Sequence, residues 1–587
     1  MAETFFITTA IDYTNGAPHI GHAYEKVLAD VLARYHRLKG DDVFFLTGVD
    51  QHGQKVQQSA EKQGVAPQEF VDGVTAKFRA LWDKLNVRYD AWAATTDQSH
   101  KNCVRAILDR LWNEKGDDGQ SRWIYRKSEG GYYSVRQEQF LTDKERGEDG
   151  EFGPEWQPVE FREEENFYFR LKEHKQWLID LIKSRREAGQ PLVIPDFRNE
   201  ELLNAVEKLD GDLCISRPAA RLQWGIPFPE SWGAGFVTYV WFDALVNYIS
   251  FAPGFAEYFT AEAPRRGGEE IASSSDLRAS ASPRFKDWWP ALHVIGKDIM
   301  IPAHGVYWPI MLKALGFDSD DIPQLLVHGW WNISGAKMSK SLGNVIDPDA
   351  LADKYGAEAV RYYLVSDIAT GKDADFSEER LIQRYNTDLA NSLGNLLNRS
   401  LNMAAKYRSG KLAVGSDEID IVIQNESIAE TQSPDWDRFG AERVKLRFQM
   451  RTLLRGTNGN IEDYGKQVDG HQVSLALQHA LAIAQGSNWL VDEAAPWKLA
   501  KDETRSFDLD RVLYTLAESL RIIAILLSPV LPKAAQGIFD QLNWKMDEQG
   551  QETRFKLADA VWGGLPDGHQ LGAPTPLFPR IEAPKEA

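Results

Sequence analysis

Cysteine is almost absent from this 587-residue chain: Cys103 and Cys214 are the only two, far apart and in no C-x-x-C pair. That usage suits a reducing compartment and excludes a four-cysteine zinc site. Membrane-length apolar runs are missing as well; Ile522-Ile523-Ala524-Ile525-Leu526-Leu527 sits in an amphipathic pattern well short of a ~20-residue span. No basic leader opens the chain, because Met1-Ala2-Glu3-Thr4 precedes a short strand-like run. A basic excess is lacking too. The net charge of −19 argues against wholesale coating of nucleic acid but allows one local basic groove. These absences together point to a soluble, cytoplasmic protein with no membrane partner.

What is present is ample for several cores: 43% of residues are apolar and 11% aromatic, and the length suggests about three to four domains. A strand over 5–9, a loop to Pro18, a helix over 20–38 ended by Gly40 and a strand over 43–46 read as a βαβ unit. Ala23, Val27, Val31, Tyr35 and Leu38 recur at helical spacing, as a crossover helix packed on a sheet requires. A right-handed crossover puts the intervening loop at the carboxyl edge of a parallel sheet, where nucleotides bind. Further helices are expected over 67–85 and 100–114.

From about Arg122 the texture changes to short aromatic strands among acidic loops, such as Trp123-Ile124-Tyr125 and Phe167-Tyr168-Phe169. This suggests a strand-rich insertion running to about Trp232. The runs 236–241 and 293–296 read as returning strands of the first sheet, and 261–282, rich in Ala, Ser, Gly and charge, reads as a flexible surface insertion. Beyond Leu381 helical periodicity dominates, over 381–407, 435–455, 474–489, 509–527 and 533–542, with a polar loop at 413–434. A helix bundle follows from that pattern.

Two short strings carry the chemistry. Pro18-His19-Ile20-Gly21-His22 joins the first strand to the first helix, so its histidines meet any anion at a helix N-terminus. Lys337-Met338-Ser339-Lys340-Ser341 is a basic loop flanked by Gly335 and Gly343. Mobile ammoniums there could close on phosphates in a transition state alone, which raises turnover rather than ground-state affinity. Taken singly, the first string also fits a structural histidine pair and the second a solvated basic turn. A polyphosphate gripped from both sides joins them.

In these strings, in this order, the chain resembles the class I aminoacyl-tRNA synthetases, and among them most nearly the methionyl-tRNA synthetases. Supporting strings are Asn15-Gly16-Ala17, Ala29-Asp30, Gly48-Val49-Asp50-Gln51-His52-Gly53, Trp224-Gly225-Ile226-Pro227, Tyr239-Val240-Trp241-Phe242-Asp243-Ala244, Gly296-Lys297-Asp298 and Val327-His328-Gly329-Trp330. Each is weakly specific alone; their order and spacing together are highly so. The resemblance implies an α/β fold, a class I Rossmann-like parallel sheet with an inserted connective subdomain, followed by an α-helical bundle. It implies residues 1–115 and 233–325 as the two halves of the catalytic domain and 116–232 as the connective insertion. The basic loop and stem-contact region would span 326–392, the anticodon-binding domain 393–565 and a tail 566–587.

The implied activity is ATP-dependent attachment of L-methionine to tRNA(Met) through methionyl-adenylate, with Mg²⁺ shielding the phosphates. Carried over, His19, His22, Lys337 and Lys340 would be catalytic, with Gly21, Glu25, Gly296 and Asp298 at ATP. Ile11, Tyr13, Trp241, Ala244, Leu245, Tyr248 and His304 would form the methionine pocket, and Asp50 would hold the α-ammonium. Such a pocket is the right chemistry for a thioether, although Trp241, Ala244, Leu245 and Tyr248 also fit ordinary core packing. Asn395, Arg399 and Trp497 would read the anticodon, by unstacking bases onto an aromatic and pairing their edges; capping and core packing explain each of these residues equally well.

The chain departs from the family in two places. Ile301-Pro302-Ala303-His304 is one residue longer than the family's Phe-His stretch and lacks the Phe. Zinc knuckles common in relatives are not expected, since 116–232 contains only Cys214. The end at Leu577-Phe578-Pro579-Arg580-Ile581-Glu582 resembles members without an appended dimerisation domain, so a monomer is expected. Two rivals remain: a class I ligase for another amino acid, and an inactive tRNA-binding protein.

Overall fold

The computed structural model of the protein describes residues 3–136, 139–141, 143–147, 149–255, 283–333, 335–337, 345–413, 440–544 and 555–582. Lys340, the insertion at 261–282 and the polar loop from 414 onward lie outside the described residues.

The expected βαβ start is present. The strand Thr4–Thr9, buried from Phe6 onward, leads through a loop to the helix Ile20–Lys39. That helix ends at Gly40, whose φ of 98° is the left-handed conformation a helix terminus favours in glycine. The chain returns as the strand Asp42–Asp50. On one edge this strand pairs in parallel with Thr4–Thr9 and then Asp12–Tyr13; Ala91–Ala94 lies on the other. Thr4–Thr9 pairs on its free side with Leu292–Gly296, followed by Gln324–His328 and Val193–Ile194, which completes a seven-stranded parallel sheet. Strands are thus laid down in both directions from Thr4–Thr9, and the crevice past its carboxyl end is where such sheets bind ligands.

Several expectations need correction. Phe236–Thr238 does not return to the main sheet; it pairs antiparallel with Ser216–Pro218, and Val240–Ser250 is a helix. That helix is buried on every side from Phe242 to Ser250, so its apolar run carries no period separating it from a buried strand. The insertion has an antiparallel sheet of Gln139–Leu141, Ile124–Ser134, Val159–Phe169 and Leu213–Cys214, but also the helices Lys175–Glu187 and Phe197–Glu207. It also lends Val193–Ile194 to the main sheet. In the bundle, the helix Ala441–Asp469 continues well past Arg455, through Gly456, Gly459 and Gly465. Glycine costs a helix about 1 kcal/mol each, and packing along Val473–Ala494 offsets it.

The bundle and the sheet share one apolar core. Arg361 pins the junction: its buried guanidinium pairs with Asp30 at 2.7 Å and donates to the carbonyls of Pro529 and Val530 at 3.0 and 2.9 Å. Among the described residues, no helix is long and apolar enough to cross a membrane.

Candidate active site

A cavity of about 440 Å³ opens where Thr4–Thr9 and Leu292–Gly296 end. Its lining brings together residues scattered from Ala10 to Trp331. The first turn of the helix Ile20–Lys39 and its cap supply His19, Gly21, His22 and Glu25, and the strand ends supply Ile11, Tyr13 and Asp50. Trp241, Ala244, Leu245 and Tyr248 come from one face of the helix Val240–Ser250, and Gly296, Asp298 and His304 from the segment after the central strand.

The two histidines cap their own helix. His19 is the N-cap: its Nδ1 accepts from the Gly21 N–H at 3.1 Å, and its own N–H donates to Nδ1 of His22 at 3.0 Å. With Nδ1 an acceptor in both rings, the neutral imidazoles carry their proton on Nε2. Each therefore presents an N–H donor at the positive end of a helix dipole. The rings lie 3.7 Å apart, centroid to centroid. A Cβ on Gly21 would sit 3.0 Å from Cε1 of His19, so any larger residue would press the ring a few tenths of an ångström from its capping position. Gly53, at φ 114°, faces a similar limit, since a Cβ there would come within 2.7 Å of the Tyr13 hydroxyl oxygen.

At the apolar end, Tyr248 Oη lies 2.7 Å from Nε2 of His304, whose Nδ1 lies 2.9 Å from the Ile299 carbonyl. The carbonyl can only accept, so His304 carries its proton on Nδ1 and Tyr248 donates to Nε2. Burial pushes the His304 pKa down to about 4 and the Tyr248 pKa well up, so both are neutral at physiological pH. The segment Met300–Tyr307 before and around His304 is not one continuous helix: Ile301 is extended, at φ −115° and ψ 128°, and the helix resumes beyond that kink. Ala303, buried, stands directly before His304. Trp241 meets the His304 ring edge-to-face at 6.3 Å, and Tyr248 stacks on His293 at 4.1 Å.

Sequence reasoning missed several groups at or behind this cavity. Lys26 is fully buried and meets Asp12 at 2.6 Å and Glu25 at 2.9 Å; Glu25 in turn meets Nε2 of His328 at 3.1 Å. Burial raises the Asp12 pKa to about 7, against the opposing pull of Lys26. Burial works the same way on Glu25, but Lys26 and His328 more than offset it and its pKa is lowered. Asp243 accepts from His52 at 2.6 Å and His100 at 2.8 Å, and these neighbours hold its pKa down despite complete burial. Nothing in the spacing of Asp12, Lys26 and His328 signals their contact. Only His328 had a hint, in Val327-His328-Gly329-Trp330.

The basic loop is anchored at its base. Ala336–Lys337 pairs antiparallel with Trp331–Ile333, and the Gly335 N–H donates to Asp375 at 2.7 Å. In the bundle, Asn395 and Arg399 share one face of the helix Asn395–Arg408; Asn395 is exposed, and Arg399 pairs with Asp492 at 2.8 Å. Trp497, 40% exposed, sits in the one-turn helix Pro496–Leu499. Among the described residues, no group of three or more His, Cys, Asp and Glu side chains could hold a metal.

Residues 5–149 and 155–401 match the family described as tRNA synthetases class I (M), and 445–587 match the anticodon binding domain of methionyl tRNA ligase. A methionine–tRNA ligase from Nostoc sp. is 38% identical, over 99% of this chain and 98% of that one. The enzyme of the same name from Thermosynechococcus vestitus is 37% identical over 100% and 99%. A solved structure, Mycobacterium tuberculosis methionyl-tRNA synthetase in complex with methionyl-adenylate, aligns with a TM-score of 0.79. It is 32% identical and covers 98% of this chain and 100% of its own.

Proposed function

From the chain's place among the class I methionyl-tRNA synthetases, the family to which it belongs, we propose how its residues divide the work of charging tRNA(Met) with methionine. The observation that carries the reading is one cavity joining two histidine N–H donors at a helix N-terminus to an aromatic pocket closed by the Tyr248–His304 pair.

Methionine enters with its thioether against Ile11, Trp241, Ala244, Leu245 and Tyr248, and with its ammonium at Asp50. ATP binds as its Mg²⁺ complex, the phosphates at His19 and His22 and the ribose at Gly296 and Asp298. A methionine carboxylate oxygen attacks the α-phosphorus, the bond to the bridging oxygen breaks in line, and pyrophosphate leaves. The Nε2–H donors of His19 and His22 meet charge as it develops on the phosphoryl oxygens. Lys337 and Lys340 close on the departing pyrophosphate. The terminal ribose 2′-hydroxyl of tRNA then attacks the acyl carbon of methionyl-adenylate, and AMP leaves. No side chain forms a covalent intermediate; positioning and charge stabilisation suffice. Asn395, Arg399 and Trp497 read the anticodon, the Arg399 guanidinium exchanging Asp492 for a base edge.

The enzyme acts as a monomer in the cytoplasm, and light scattering at one chain mass is expected. The deciding assay is ATP–pyrophosphate exchange, which should require methionine. Exchange driven by leucine or cysteine but not by methionine would sink the assignment of the pocket.

A further inference from the structure

The steps above leave one buried cation without a task. Among the described residues Lys26 is the one lysine wholly shielded from solvent, and its three ammonium N–H groups have three acceptors. These are the Ala10 carbonyl at 2.8 Å, Asp12 Oδ1 at 2.6 Å and Glu25 Oε1 at 2.9 Å.

The acceptors belong to two different working parts of the site. Ala10 and Asp12 flank Ile11 on the cavity wall and lead directly to Tyr13. Glu25 lies one turn along the helix whose cap is His19, and its other oxygen meets His328. His328 ends the strand Gln324–His328, from which the chain runs through Gly329 and Trp330 into the hairpin bearing Lys337. We propose that Lys26 is a positioning residue: its ammonium locks the amino acid wall to the histidine-bearing helix, and through Glu25 to the approach of the basic loop. The carboxylate of methionine is thereby held in line with the α-phosphate.

General stability does not explain the arrangement. Apolar replacements of a buried ion pair are often neutral or stabilising, so such a pair is weak evidence for a stabilising role. A tetrahedral donor fixing three acceptors at 2.6–2.9 Å is instead a geometric constraint between two chain segments, the cavity wall at Ala10–Asp12 and the helix bearing Glu25. In-line attack is sensitive to displacements of about 1 Å, which can lower the rate ~100-fold without abolishing binding.

The proposal rests on the assignment of the cavity to methionine and ATP, and its test separates the two. In the full-length enzyme, Lys26→Met combined with Asp12→Asn removes the tie without leaving Asp12 charged and unpaired. Single-turnover adenylate formation should fall at least 30-fold, with methionine affinity by equilibrium titration within threefold of the wild type. A rate within threefold of wild type in a folded variant overturns the proposal. So does a loss of methionine affinity in proportion to the rate, which marks simple collapse of the pocket. If the double variant does not fold, Lys26→Arg keeps the charge but replaces three divergent donors with a planar fork; a tenfold or greater loss of rate is expected, and full activity overturns the tie. Wild-type enzyme without methionine-dependent exchange would instead overturn the assignment of the cavity.

Discussion

His19 and His22 each do two things with one ring, and the two can be separated. Nδ1 closes the helix, and in the proposed mechanism Nε2–H meets the substrate phosphates. Asparagine places an acceptor near the Nδ1 position, and glutamine a donor near Nε2. His22→Asn should therefore keep the fold, with the melting temperature lowered by no more than about 2 °C, because its cap survives. Pyrophosphate exchange should fall roughly 10²–10³-fold, the usual loss when an oxyanion donor is removed. His22→Gln should recover part of the rate and lose more stability; an active His22→Asn would assign both histidines to capping alone. A second residue, His471, concerns stability only. Burial lowers its pKa from 6.5 to about 4, so the unfolded chain binds its proton first as the pH falls. Its contribution is present above pH 6.5 and falls away between there and about 4, the loss reaching ~2 kcal/mol by pH 5 at ~1.4 kcal/mol per unit. Asparagine tolerates the left-handed φ of 58° found there. The urea midpoint of His471→Asn should accordingly drop less between pH 7.5 and 5 than that of the wild type, and equal slopes would refute the shift.

At the element scale, long periodic helices were legible because one apolar face repeats every third or fourth residue. Expected 509–527 is Ser506–Leu527, and expected 533–542 is Pro532–Leu542. Where the period vanished, legibility went with it. The helix Val240–Ser250 is buried all round, and the helix Ala441–Asp469 reads through glycines that locally signal a stop. The kink at Ile301, extended at φ −115° and ψ 128° between helical neighbours, is a feature no pattern announces, and it immediately precedes the turn that carries His304. Deleting Ala303 shortens the helical turn after that kink by one residue and rotates the residues from His304 onward by about 100° relative to it. Nε2 of His304 then leaves Tyr248. The KM for methionine should rise at least tenfold in exchange assays while the KM for ATP stays within threefold, and an unchanged methionine KM would show that the placement of His304 is not what sets the pocket.

Across the whole molecule, the cavity and the part matching an anticodon binding domain are joined through the Arg361 junction, and the proposed function divides substrate activation and RNA reading between them. Trp497 lies in the bundle and lines no part of the catalytic cavity. Stacking of a base on such an aromatic is worth ~1–3 kcal/mol. Trp497→Ala should therefore lower kcat/KM for tRNA in aminoacylation by roughly 5- to 150-fold and leave pyrophosphate exchange within twofold. Equal losses in both assays would mean that the tryptophan supports the fold of the bundle instead of a nucleotide.

The chain's own order of residues determined the βαβ start, the helical character of the last third and the motifs at His19–His22 and Lys337–Ser341, because each depends on neighbours a few positions apart. Tertiary structure alone decided that Asp12, Lys26, Glu25 and His328 form one buried charge network, and that Asp243 gathers His52 and His100. It also decided the tautomers of His19, His22 and His304. Contacts across as many as three hundred residues leave no period and no spacing rule in a sequence. A buried charge is tolerated only where folding brings its counter-charge within hydrogen-bond reach.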